Sequence, residues 1–121
     1  MPSDEKLHPE FSTQELSARP SEGFNPVRDI NKIKESLEMQ GIPSTDTETG
    51  GLTASLEDRV TETWDNNGRL VKTVFEGDRG AAGSKNLTET FAYYEDGKLK
   101  EMKQVINKND GTAQELQKFE F

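Results

Sequence analysis

The sequence predicts an α+β protein: one N-terminal helix packed on a curved, half-barrel-like, five-stranded antiparallel β-meander. Three observations lead there. Apolar residues recur at helical spacing between Val27 and Leu37, the period changes to two from Leu52 onward, and three Asx-Gly pairs punctuate the second half.

The helix is expected over residues 26–40. Asn25 suits the N-cap and Pro26 the first helical position, where a missing N–H costs nothing. Val27, Ile30, Ile33 and Leu37 then fall on one stripe, opposite Arg28, Lys32, Lys34, Glu35 and Glu38. Gly41 supplies a left-handed C′ residue and Pro43 prevents continuation. Glu38 opposes the helix dipole by a few tenths of a kcal/mol, roughly. Burial of four aliphatic side chains, at about 1.5–3 kcal/mol each before entropy, outweighs it.

Residues 1–24 read as a flexible acidic arm preceding a single domain over 25–121, with Pro2, Pro9 and Pro20 and few apolar groups. Ser12 and Glu15 have capping-box spacing, and Phe11 and Leu16 occupy staple positions, so a short helix over 13–18 is expected before Pro20. Residues 42–51 read as a linker.

Asn67-Gly68, Asp96-Gly97 and Asp110-Gly111 each suit a type I′ turn. Counting outward gives strands near 58–65, 69–76, 86–95, 98–107 and 112–121. It pairs Trp64 with Val71, Val60 with Phe75, Phe91 with Met102, Tyr93 with Lys100, Leu87 with Ile106, Met102 with Phe119, and Lys100 with Phe121. The second and third hairpins agree independently on one apolar face. The predicted core is Val27, Ile30, Ile33, Leu37, Val60, Trp64, Val71, Phe75, Leu87, Phe91, Met102, Ile106, Phe119 and Phe121. Residues 76–85, with three glycines and two alanines, read as a mobile connection.

Composition narrows the function classes. The 121 residues are 30% apolar and 31% charged, with a net charge of −8. That apolar share lies below the roughly 45–50% of globular chains, a figure that counts glycine. With no cysteine, disulfides, thiolate nucleophiles and cysteine-ligated metals are excluded, and a single histidine, His8, leaves little for triads or metal sites. No apolar run approaches the ~20 residues of a membrane helix. The fifteen Lys and Arg are scattered among acids, which argues against nucleic acid. Residues 1–10 lack an apolar leader core, which fits a cytoplasmic protein and equally a mature exported form.

The stretch 61–71 (TETWDNNGRLV) echoes 88–100 (TETFAYYEDGKLK): in each an aromatic residue precedes Gly by four positions, and a basic residue and Leu follow. The two stretches, within a span of about 40 residues, resemble the hairpin unit of YD (RHS-type) repeats, although Tyr94 stands where the first copy has Asp65. The resemblance implies β-hairpins that carry no catalysis of their own.

No constellation points to catalysis, a cofactor or a metal. Glu62 and Glu89 sit at equivalent points of the two copies and face inward. They read either as a carboxylate pair in a cavity or, more simply, as strand-end groups reaching solvent or a lysine. Asp65-Asn66-Asn67-Gly68 and Asn107-Lys108-Asn109-Asp110-Gly111 fall short of a calcium loop and are explained as turns. Asn86-Leu87-Thr88 is a glycosylation sequon, relevant only to a protein exported from a eukaryotic cell. The outer face is more informative: the register places Leu70, Val74, Tyr94, Leu99, Val105 and Leu116 there, with Tyr94 opposite Leu99 and Val105 opposite Leu116. An apolar group rimmed by charge marks a binding surface, unless the arm folds over it through Phe11, Leu16 and Phe24.

The leading expectation is a non-enzymatic interaction module presenting this face to a protein partner, for which the acidic charge favours a basic one. A second is an acidic inhibitor or immunity-type protein blocking a basic enzyme. A third is a small-ligand carrier or enzyme using a concave face lined by Glu62, Glu89 and Tyr93. The oligomeric state is left open.

Overall fold

Four hairpin turns of a single geometry organise the chain. In the computed structural model, which describes residues 11–57, 59–78 and 83–121, the turns begin at Thr47, Asp65, Tyr94 and Lys108. In each, the first residue's N–H donates to the carbonyl four residues on, and the N–H three residues on donates back to the first residue's carbonyl. The fourth residue is always a glycine with positive φ: Gly50, Gly68, Gly97 and Gly111.

These turns join seven strands into one open antiparallel sheet in sequential order: β1 Ser44–Asp46, β2 Leu52–Glu57, β3 Val60–Trp64, β4 Leu70–Glu76, β5 Ser84–Tyr93, β6 Leu99–Lys108 and β7 Ala113–Glu120. Two helices, α1 Thr13–Leu16 and α2 Ile30–Met39, cover part of one face. The expectation of one helix on five strands is thus corrected. The sheet has two further strands, and the second helix is the predicted short one. The predicted linker 42–51 contains β1 and a hairpin turn, because Gly50 takes up the left-handed position at φ 89° that the threonines around it resist. His8 and the first ten residues of the arm, Asp58 and residues 79–82 of the glycine-rich connection lie outside the described residues.

The turns are not type I′. That geometry needs positive φ at both central residues, whereas Arg59 is the one non-glycine with positive φ among the described residues. A single left-handed glycine follows two ordinary residues instead, a type I turn closed by a glycine bulge. Only glycine then occupies the left-handed region, which spares Asn67, Asp96 and Asp110 its cost. Their neighbourhoods are held by carboxylates: Asp65 Oδ1 accepts from the N–H of Asn67 and Arg69, Asp96 Oδ1 from Lys98, and Asp110 Oδ1 from Thr112.

The register follows. Next to the turns the pairing is one residue out from the expected count: Trp64 faces Leu70 rather than Val71, and Tyr93 faces Leu99 rather than Lys100. An extra residue on each returning strand (Val71, Lys100, Leu116) then restores the count. Further along, Val60 pairs with Phe75, Phe91 with Met102, Leu87 with Ile106 and Met102 with Phe119, as expected. Leu70 and Leu99 thereby turn into the core.

That core gathers Leu16, Ile33, Leu37, Leu52, Ala54, Trp64, Leu70, Phe91 and Leu99. Helix α2 begins at Ile30, four residues later than expected, with Asp29 as N-cap accepting from the N–H of Asn31. Asn25 to Arg28 instead run along the turns, where Asn25 N–H donates to Gly97 and Arg28 N–H to Asn67. Val27 is therefore 61% exposed, and the predicted core members Phe119 and Phe121, at the edge of the sheet, are 44% and 43% exposed. At the other end the expectation holds. Gly41 N–H donates to Glu38 and Ile42 N–H to Leu37, a Schellman close.

The arm packs on the sheet's covered face, not its outer one. Ser12 caps α1 with both bonds of a capping box. Phe11 N–H donates to Ser36 Oγ, Thr13 Oγ1 donates to Gln40, and the Trp64 indole N–H donates to the Leu16 carbonyl at 3.0 Å.

Two outcomes follow from this architecture. An added Cβ at Gly68 would lie 2.3 Å from the Arg28 carbonyl, whereas Gly111, also left-handed, has nothing within 4 Å. Gly111→Ala should cost about 1–2 kcal/mol from backbone conformation alone, and Gly68→Ala clearly more, measured by denaturant unfolding. The Ser12 cap holds the Glu15 carboxyl below its ordinary pKa, chiefly through the backbone hydrogen bond. The stability linked to it is present above the ordinary glutamate range and is lost as pH falls through the lowered value. NMR titration of Ser12→Ala should show the Glu15 midpoint rising but staying below the ordinary range, because the backbone N–H of residue 12 remains.

Candidate functional site

The covered face carries a polar row across its apolar surface. The register aligns Ala54, Glu62, Thr73, Glu89, Gln104 and Gln117 on six successive strands. Glu62 is 5% exposed and Glu89 2%. A buried carboxylate is tolerable only when its oxygens are engaged, and here they are. Thr73 Oγ1 donates to Glu62 at 2.8 Å. Arg19, at the end of the docked arm, donates to Glu89 Oε1 at 2.7 Å, and Gln104 Nε2 donates to Glu89 Oε2 at 2.6 Å. The two carboxylates thus sit mid-sheet, one strand apart on either side of Thr73. Both are buried away from the strand ends, where the simpler expectation put them, and Glu89 meets Arg19. The signal was present in the sequence as the repeated Thr-Glu-Thr, but Arg19 is 70 residues from Glu89 and no local pattern joins them.

At the turn end of the sheet lies a cleft of about 250 Å³, lined by residues 18–21, 24–26 and 28 of the arm and by Gly68, Arg69, Leu70 and Tyr93. A second, more open groove of about 420 Å³ shares Arg69 and Tyr93 and runs past Asp65, Phe91 and Tyr94. Of the third reading's residues, Tyr93 lines both; Glu62 and Glu89 line neither. Tyr93 donates to the Leu70 carbonyl at 2.5 Å. Burial, with the Asp65 charge adding to it, pushes its hydroxyl far above the ordinary phenol range, so it stays protonated.

The six residues expected on the outer face separate into three environments. Leu70 and Leu99 are core, at 2% and 3% exposure, the correction that the turn geometry imposes. Val74 and Val105 do lie outward, half-buried, in one cross-strand row with Thr88 between them. Tyr94 and Leu116 are exposed. Tyr94 does not oppose Leu99, and its hydroxyl donates to the Phe121 carbonyl. Leu116 is the extra residue of the β6–β7 bulge, so Val105 faces Glu115.

Strand β7 forms an open margin, and Phe119 and Phe121, expected in the core, lie along it. All eight of its residues are exposed, and among the described residues it pairs on one side only, with β6. Leu116, Phe119 and Phe121 bring apolar surface to that margin among Glu115, Lys118 and Glu120. Lys118 bridges Glu120 at 3.2 Å and Glu101 at 3.8 Å.

No family model, curated protein or solved structure matches the chain. Among the described residues no helix is long and apolar enough to cross a membrane.

The polar row makes a direct prediction. Arg19→Met removes the cation and leaves Glu89 buried beside Gln104 alone, which should cost about 1–3 kcal/mol in denaturant unfolding; Arg19 is half-exposed, which keeps the figure below that of a fully buried pair. Adding Glu89→Gln should recover most of the loss, because an amide needs no counter-charge and still accepts from Gln104.

Proposed function

We propose that the protein is a non-enzymatic interaction module whose docking surface is the β7 margin, receiving an extended segment of a protein partner as a further strand. The observation that supports this reading best is an eight-residue strand, exposed throughout, with a backbone edge unpaired among the described residues and three large apolar side chains at 43–45% exposure. Main-chain groups along such an edge supply affinity, and alternating side chains supply selectivity. Tyr94, tied to the Phe121 carbonyl, extends the apolar surface toward the β5–β6 turn. A net charge of −8 speeds encounter with a basic partner. The engagement of Glu62 and Glu89 inside the sheet supports a structural rather than an acid–base role for them.

Leu116→Lys and Phe119→Lys test the reading. Both side chains are largely exposed, so the melting temperature should stay within about 4 °C of the parent, while partner capture from native lysate falls at least tenfold. Equal capture by both variants overturns the β7 reading. If that equal capture disappears at high salt, the acidic-inhibitor reading takes its place.

A further inference from the structure

Three of the chain's five arginines meet in the smaller cleft, in a protein that is acidic overall. They come from separate places: Arg19 follows α1, Arg28 precedes α2, and Arg69 leads into β4. Arg19 is neutralised by Glu89. The other two are held by carbonyl groups instead. Arg69 Nε donates to Asn25 at 2.8 Å, Arg28 Nε donates to Gly68 at 3.0 Å, and Arg28 Nη1 donates to Glu15 at 2.7 Å. Among the described residues neither has a carboxylate within ion-pair distance, and both Nη groups of Arg69 and the Nη2 of Arg28 carry no hydrogen bond.

These bonds orient the two guanidinium planes and leave their outer N–H groups for another acceptor. Arg69 is buried and packs over the Tyr93 ring, 5.8 Å from its centroid; Arg28 is half-buried over Phe11 at 5.4 Å. Burial lowers the pKa of Arg28, against the opposing effect of Tyr93 and Glu15. Pro20, Phe24 and Pro26 add an apolar wall to the same cleft. Phe24 is 62% exposed, so the wall is open to an incoming molecule.

We propose that this cleft is a binding site for a small oxyanion, a phosphate monoester or a carboxylate, with a compact apolar body. The oxygens take the outer N–H groups of Arg28 and Arg69, for which the guanidinium fork is matched, and the body lies against Phe24 and the two prolines. At about 250 Å³ the cleft lies just under the roughly 300–1,000 Å³ of sites for drug-sized ligands, which sets the size class. This site is separate from the β7 margin, and its ligand is independent of any partner there.

Titration of the isotopically labelled protein with inorganic phosphate, phenyl phosphate and benzoate, followed at the arginine Nε–H resonances, tests the site. Saturable shifts at Arg28 and Arg69 are expected, with phenyl phosphate or benzoate binding several-fold tighter than inorganic phosphate. The stronger of those two identifies the headgroup. Arg28→Gln or Arg69→Gln should weaken binding at least tenfold, and Arg59→Gln less than twofold. Phe24→Ala, an exposed position that leaves the fold intact, should remove the preference for the aromatic ligands alone. Shifts that stay linear to about 10 mM, or that are no greater at Arg28 and Arg69 than at Arg59, overturn the proposal. Because the parent protein already decides it, an Arg variant that fails to fold does not rescue it.

Discussion

The indole N–H of Trp64 donates to the carbonyl of Leu16, both residues sealed from solvent, and the rest of the molecule depends on that junction. A sheet of seven strands has one broad apolar face, and among the described residues two short helices cover part of it. The tryptophan joins cover to sheet by burying a large ring while giving its one polar atom a partner. It also holds the arm where Ser36 and Gln40 of α2 can bind Phe11 and Thr13. The same docked arm carries Arg19 to Glu89 and brings the Glu15 carbonyl to Arg28.

Cover by so short a segment is necessarily partial. The helices pack on strands up to β5 and the near part of β6, so β7 keeps its apolar side chains in water. The same economy explains the polar row. Glu89 is closed in by a side chain arriving from the arm, so a residue that would be costly on a bare sheet becomes a point of attachment for the arm. Stability and surface chemistry are therefore coupled: the segment that seals the core also brings the arginines into the cleft and decides where the apolar margin ends.

Hairpin geometry decides the sidedness of everything else. Each of the last three turns shortens the pairing by one residue and its returning strand carries one residue more, so the far halves of those hairpins keep the register that counting predicts. Between turn and bulge the two counts differ, and a side chain there changes face. Leu70 and Leu99 lie in that interval, and both complete the core around Trp64 and Phe91. Val74 and Val105 lie beyond it and remain outside.

Much of the fold was legible locally. The antiparallel meander, the capped α1, the glycine close of α2 and the far-strand pairs are written in period-two patterning, capping residues and glycines, whose preferences act over a few residues and need no context. The turn subtype was not, because Asn-Gly and Asp-Gly serve two geometries that differ by one residue in register. The start of α2 was misplaced for a related reason: Asn25 and Pro26 are good helix openers, but their backbone is claimed by the turns at Gly97 and Asn67. Of the candidate sites, the inward position of Glu62 and Glu89 could be read by counting, whereas the meeting of Glu89 with Arg19 could not. Sequence alone determined that the last five strands are extended, that α1 and the body of α2 are helical, and where the last three hairpins reverse, since those are short-range steric preferences. Tertiary structure decided which face the arm covers, which carboxylate meets Arg19 and which three arginines share a cleft, since those depend on groups tens of residues apart being brought within a few ångströms.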